Sequence, residues 1–105
     1  MQISQKESEI TNNRILLDVM ADKHCISILQ AIKDEPKSAS QLSSECGIFI
    51  GIVYRKLKLL QKGGLLDTHY EIRPDGKKFF LYKSQVKSIM ASFVDNALDV
   101  VIEKR

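Results

Sequence analysis

The sequence predicts one α+β domain, mostly helical, with a two-stranded β-hairpin and a long last helix. Three observations lead there. Apolar residues recur at helical spacing in four stretches between Ile15 and Leu60, the period changes to two after Leu65, and a continuous apolar stripe runs from Val86 to Val101. The 105 residues amount to one domain, and 44% hydrophobic with 28% charged residues is an ordinary globular balance.

The elements follow in order. Residues 1–12 are polar and are expected to form a flexible N-terminal segment. Ile15, Leu16, Val19 and Met20 mark a first helix from Asn13 to Met20. Cys25, Ile28, Leu29 and Ile32 mark a second, from about Lys23 to Lys33. Pro36 disfavours helical geometry in the residue before it and ends that helix. Ser38 and Gln41 stand in the Ser-x-x-Gln relation of a capping box, which opens a short third helix with Leu42 and Cys46 inward. Gly47 stops it, and a fourth helix runs from Ile50 to Lys62 until Gly63-Gly64. Leu66, Thr68, Tyr70 and Ile72 then alternate with polar residues, as in a half-buried strand. Pro74-Asp75-Gly76 forms a turn, and Lys78 to Tyr82 the returning strand. Ser84 is expected to cap a helix over 84–105. Its stripe of Val86, Ile89, Met90, Phe93, Val94, Ala97, Leu98 and Val101 covers about five turns, or about 30 Å.

Charge is distributed unevenly. Residues 1–48 carry five Lys/Arg against seven Asp/Glu, residues 49–83 carry eight against three, and residues 84–105 carry three against three. A basic middle third is the electrostatic footprint of a phosphate-backbone binder. On the fourth helix, Val53, Leu57 and Leu60 share one face. Gly51, Arg55, Lys58 and Lys62 lie opposite, with Tyr54 on the flank. One side can pack while the other offers cations to a groove.

The order helix, helix, short helix, glycine turn, helix, hairpin resembles the winged helix–turn–helix transcription regulators, in particular the arsenic-repressor-like (ArsR-like) and MarR-like groups. The resemblance covers Ile15 to Tyr82. It rests on Ser38-Ala39-Ser40-Gln41-Leu42, Cys46-Gly47-Ile48, Val53-Tyr54-Arg55-Lys56-Leu57-Lys58-Leu59-Leu60 and Gly64-Leu65-Leu66. It implies a sequence-specific DNA-binding regulator, a repressor, that acts as a cytoplasmic homodimer on double-stranded DNA in an archaeal or bacterial cell. The domain would span 13–83. Ile50, Gly51, Tyr54 and Arg55 would sit nearest the bases, with Arg55 suited to a bidentate guanine contact. Lys58 and Lys62 would lie nearer phosphates, and Ser40 and Gln41 join the same set. Arg73, Lys77 and Lys78 of the hairpin would reach the backbone or the minor groove. The final helix would build the dimer through Ile89, Met90, Phe93, Val94, Ala97, Leu98 and Val101.

One stretch departs from that pattern. The entry to the fourth helix reads Ile48-Phe49-Ile50-Gly51-Ile52, where regulators of this type place small polar residues. Phe49 cannot cap a helix. If Phe49 and Ile52 are both buried, the core simply extends. If either is exposed, the apolar tip suggests a protein partner or a methyl-rich site, and the alternative function is a winged-helix protein–protein interaction module using Phe49–Ile52. Other classes find little support. Cys25 and Cys46 are too few and too far apart for a disulfide framework or a metal site, and His24 and His69 stand alone. No phosphate-binding glycine loop, nucleophile elbow or carboxylate pair appears, so no enzyme, cofactor or small-molecule effector is expected. No apolar run approaches the ~20 residues of a membrane span, and no secretory signal is visible at the start.

Overall fold

The computed structural model describes residues 7–105, with side chains from Asn13 onward. Four helices come first: α1 (Glu7–Met20), α2 (Lys23–Ala31), α3 (Ala39–Cys46) and α4 (Ile50–Lys62). Helix α1 begins at Glu7, so residues 7–12 of the segment expected to be flexible continue the helix. Residues 1–6 of that segment lie outside the described residues.

The helix ends are set by local chemistry. Asp22 caps α2, its carboxylate accepting from the His24 and Cys25 N–H groups. The Ser38–Gln41 capping box forms as the spacing predicts, with both reciprocal bonds present. Gly47 then takes φ 65°, a left-handed value that glycine reaches without a Cβ penalty, and the Ile48 N–H returns to the Ser43 carbonyl. At the end of α4 the Leu65 N–H bonds the Leu60 carbonyl and the Gly64 N–H bonds that of Gln61. This is a Schellman motif with Gly64 in the left-handed position, and Leu60 and Leu65, at its two ends, are both fully buried in the core.

One core forms where the helices meet. Val19 from α1, Ile28 from α2, Leu42 from α3 and Leu57 from α4 are buried there, joined by Leu65 and by Tyr82 from the first sheet. Burying each such aliphatic side chain contributes about 1.5–3 kcal/mol, so the amphipathic stripes, rather than helix propensity, hold the bundle.

Two antiparallel hairpins complete the chain. In the first, β1 (Leu66–Ile72) pairs with β2 (Lys78–Ser84), with Leu66 opposite Ser84 and Ile72 opposite Lys78. Its turn has Pro74 second, the Gly76 N–H donating to the Arg73 carbonyl, and Gly76 at φ 83°. Only Leu66 and Thr68 of β1 are half-buried, while Tyr70 and Ile72 lie in solvent. The expected half-buried strand is therefore buried only at its base, because the hairpin projects past the body as a wing.

The expected helix over 84–105 is not there. Those residues form a second hairpin, β3 (Val86–Val94) paired with β4 (Ala97–Lys104). Asp95 and Asn96, at φ 50° and 63°, make the two-residue turn. Positive φ at both positions is the I′ geometry that matches strand twist, and Asp and Asn tolerate it. Ser84, expected as a helix cap, ends β2 instead, its hydroxyl accepting from the Val86 N–H. The expected helical stripe is thereby split between two sheet faces. Cross-strand pairing puts Ile89, Phe93 and Leu98 on one face and Met90, Val94, Ala97 and Val101 on the other.

The two hairpins meet at Gln85, the single residue between β2 and β3. The Gln85 N–H donates to the Leu65 carbonyl, and the Gln85 carbonyl accepts from the Arg105 N–H. The first residue before β1 and the last after β4 therefore meet on the same edge of the chain that runs from β2 into β3. The opposite edge of β2 is tied to the body, where Tyr82 exchanges backbone bonds with Lys37 and the Ser84 N–H donates to the Ile32 carbonyl. The molecule is elongated, 56 × 25 × 23 Å.

Candidate nucleic-acid interface

Helix α4 divides as its wheel predicts. Val53, Leu57 and Leu60 are buried, while Gly51, Tyr54, Arg55, Lys58 and Lys62 are exposed and Ile50 is half-buried. Among the described residues, Arg55, Lys58 and Lys62 enter no ion pair. Their charges are thus uncompensated on one solvent-facing side of a helix. Lys56, between them, behaves differently. Its ammonium is paired with the Asp22 carboxylate, which itself caps α2, and each side chain is about one-fifth exposed, at 19% and 22%. Burial tends to raise the Asp22 pKa, but the Lys56 hydrogen bond and the backbone N–H groups of Cys25 and His24 outweigh it. The carboxyl is held below its ordinary value. Lys56 therefore fixes α4 against α2, apart from the outward row Arg55, Lys58 and Lys62; the sequence left it out of that row without naming its carboxylate partner.

The wing adds Arg73, Lys77 and Lys78, all exposed. Two of these cations are positioned by aromatic rings. The Arg73 guanidinium lies 4.9 Å from the Phe79 ring centroid, and the Lys78 ammonium 4.5 Å from that of Tyr70. Tyr70 in turn meets Phe80 edge to face at 6.0 Å. At its base the wing is joined to α4 by the Gln61 amide donating to Thr68 Oγ1.

Between wing and helices lies an open cleft of about 280 Å³. Of the residues expected at a DNA site, it gathers Ser40, Tyr54, Arg73, Lys77 and Lys78. Gln41, Ile50, Gly51, Arg55, Lys58 and Lys62 are not among its lining. Gln41 is exposed, with its side-chain oxygen committed to the Ser38 cap. Phe79, Phe80 and Tyr82 also line the cleft and were not singled out from the sequence. Their aromatic run beside Lys77-Lys78 was the available signal.

Phe49 is the outlying feature. It is 75% exposed at the start of α4 and caps nothing, whereas Ile52 is half-buried against the core. The anticipated apolar tip is a single ring.

Neither thiol is poised for chemistry. Burial, with help from the Asp22 carboxylate and against Lys56, pushes Cys25 up to about 11, and burial also raises Cys46. Among the described residues no three His, Cys, Asp or Glu side chains converge to hold a metal, and no helix is long and apolar enough to cross a membrane.

Comparisons with known proteins agree with this geometry. A family described as helix-turn-helix domain matches residues 20–69, which hold α2, α3, α4 and the start of the wing. No curated protein matches the sequence. Among solved structures, reduced HlyU from Vibrio cholerae is 24% identical with a TM-score of 0.59, over 74% of this chain and 77% of that one. NolR from Sinorhizobium fredii is 22% identical with a TM-score of 0.60, over 83% of this chain and 84% of that one. Architecture, family match and structural likeness together show that the chain has the winged helix–turn–helix fold.

Proposed function

We propose that the chain is a sequence-specific DNA-binding transcription regulator that lays α4 in the major groove and the wing on the adjacent backbone. The observation that carries this is the row Arg55, Lys58 and Lys62, exposed and, among the described residues, without ion pairs, on the helix that follows the Gly47 turn. A helix of that kind fits the B-DNA major groove, where the planar guanidinium of Arg55 matches guanine O6 and N7. Lys58 and Lys62, with Arg73, Lys77 and Lys78, neutralise phosphates, and Ser40 and Gln41 at the start of α3 are close enough in sequence to its cap to share that task. Action on chromosomal DNA places the protein in the cytoplasm, and so small a binder acts most simply as a repressor, by covering a promoter.

A homodimer belongs to the same reading. The outer half of the second hairpin exposes Met90, Phe93, Val94, Leu98 and Val101. They lie on both faces, Met90, Val94 and Val101 on one and Phe93 and Leu98 on the other, and apolar side chains exposed together in this way mark an interaction surface. A two-stranded hairpin is marginal by itself, so a second copy of the arm is the natural cover. Two half-sites about 34 Å apart would follow.

The alternative is a protein-interaction module docking through the tip, where Phe49 is exposed and Ile52 is half-buried against the core; absence of duplex affinity at low salt would favour it. The test is a selection of bound duplexes from a random pool, followed by affinity measurements across salt concentrations. The expected result is an enriched motif and a log–log salt slope of several ions. Arg55→Ala should cost about 1–3 kcal/mol of discrimination at one base pair. Equal affinity for all sequences, unchanged by Arg55→Ala, would refute sequence-specific reading by α4.

A further inference from the structure

We propose that Phe49 reads a thymine, its ring meeting the 5-methyl group in the major groove, so that the preferred site carries a thymine opposite the start of α4. This inference rests on the DNA-binding reading above. The first turn of α4 reads Ile50-Gly51-Ile52 after Phe49, and none of these side chains bears a hydrogen-bonding group. Base edges facing that turn can be distinguished only by apolar contact, and in the major groove the one apolar feature is the thymine methyl.

Phe49 is placed to make that contact. It is 75% exposed, with no cap bond from its side chain. Its ring also lies along the helix: a Cβ added at Gly51 would stand 3.4 Å from Phe49 Cε1 and 3.5 Å from Cδ1. The bare backbone of Gly51 thus gives the ring a shelf, which limits the entropy lost when it is fixed against a base.

The surroundings favour DNA over a protein as the occupant. A protein anchor sits in a desolvated apolar patch. Here the exposed residues that follow on the same helix are Gly51, Tyr54, Arg55 and Lys58, a cationic border suited to phosphates.

The experiment replaces each thymine of the selected duplex with deoxyuridine, which removes only the methyl group. At one position per half-site the native protein should bind the uridine duplex about fourfold more weakly, the value of one buried methyl. Phe49→Ala should bind the thymine duplex weakly by a similar factor and be indifferent to the replacement, while Phe49→Leu should retain part of the preference. Because the ring is exposed, all three proteins should melt at the same temperature. Uridine replacement without effect at every position, or equal sensitivity in native protein and Phe49→Ala, overturns the proposal while leaving duplex binding intact. Absence of any salt-dependent duplex binding overturns the underlying reading instead. Phe49-dependent binding that is tighter to a single strand than to the duplex overturns it in favour of base stacking.

Discussion

Removing the Asp22 carboxylate tests how α4 is held. Asp22 does two jobs: it caps α2 through the His24 and Cys25 N–H groups, at 2.9 and 3.1 Å, and it pairs with Lys56 of α4. Loss of an N-cap costs about 1 kcal/mol. The ion pair is only about one-fifth exposed, so it lies above the surface median, yet solvent still screens it; about 1 kcal/mol is the fitting magnitude. Asp22→Ala should therefore cost about 2 kcal/mol, which lowers the thermal midpoint by about 10 °C in a domain of this size. Asp22→Asn separates the two jobs, because Asn caps as well as Asp but carries no charge, and it should cost about half as much. The pH dependence follows from the sign of the shift. A carboxyl held below its unfolded pKa of about 3.9 adds stability above that value and loses it as pH falls through the folded pKa. The gap between native protein and Asp22→Asn should thus be full at pH 6 and close below about pH 4. Circular dichroism melts at both pH values provide the measurement. A midpoint for Asp22→Ala within about 2 °C of the native one would show that neither bond carries the load assigned to it.

Three further outcomes are expected. Phe93→Glu combined with Leu98→Glu should convert the proposed dimer into a folded monomer in sedimentation equilibrium and weaken binding to a two-half-site duplex far more than to a single half-site; an unchanged mass would remove the arm from the interface. With a thiol reagent at pH 8, Cys46 should react more slowly than a free thiol and Cys25 only on unfolding, since raised pKa values reduce the thiolate at that pH; prompt reaction of both would contradict their burial. Asn96→Val should destabilise by about 1–2 kcal/mol, because a β-branched residue resists φ 63°, while Asn96→Gly should be neutral or stabilising; chemical denaturation would distinguish the two, and equal stability would rule out strain at the turn.

The part of the chain from Ile15 to Tyr82 was legible because its stops are chemically unambiguous. The Ser38–Gln41 box, Gly47, Gly64 and Gly76 each impose one backbone state, so the four helices and the wing fall between fixed points. What the sequence could not settle there was the fate of like residues. Lys56 and Lys58 are two apart on one helix, yet among the described residues only Lys56 finds a carboxylate, because Asp22 lies on the α2 side. Likewise Phe49 and Ile52 read as one apolar tip, and only packing shows that the second is absorbed by the core.

The C-terminal segment fails for a different physical reason: it is apolar at so many positions that two periods fit it. Val86, Ile89, Met90, Phe93, Val94, Ala97, Leu98 and Val101 satisfy a helix, but Ile89, Ala91 and Phe93 facing Ile102, Val100 and Leu98 satisfy a sheet equally well. Periodicity has no power to choose when both faces are apolar. The choice falls to weaker terms, and these point one way. Val and Ile favour strands, and Asp95-Asn96 supplies a turn without glycine or proline to announce it. The same two-faced character that hides the hairpin from a period count is what leaves Met90 and Val101 in solvent on one side and Phe93 and Leu98 on the other. A helix would have needed cover along one stripe. A hairpin exposes apolar side chains on both faces, so a second copy packed against one face would cover Met90, Val94 and Val101 or Phe93 and Leu98, but not both sets.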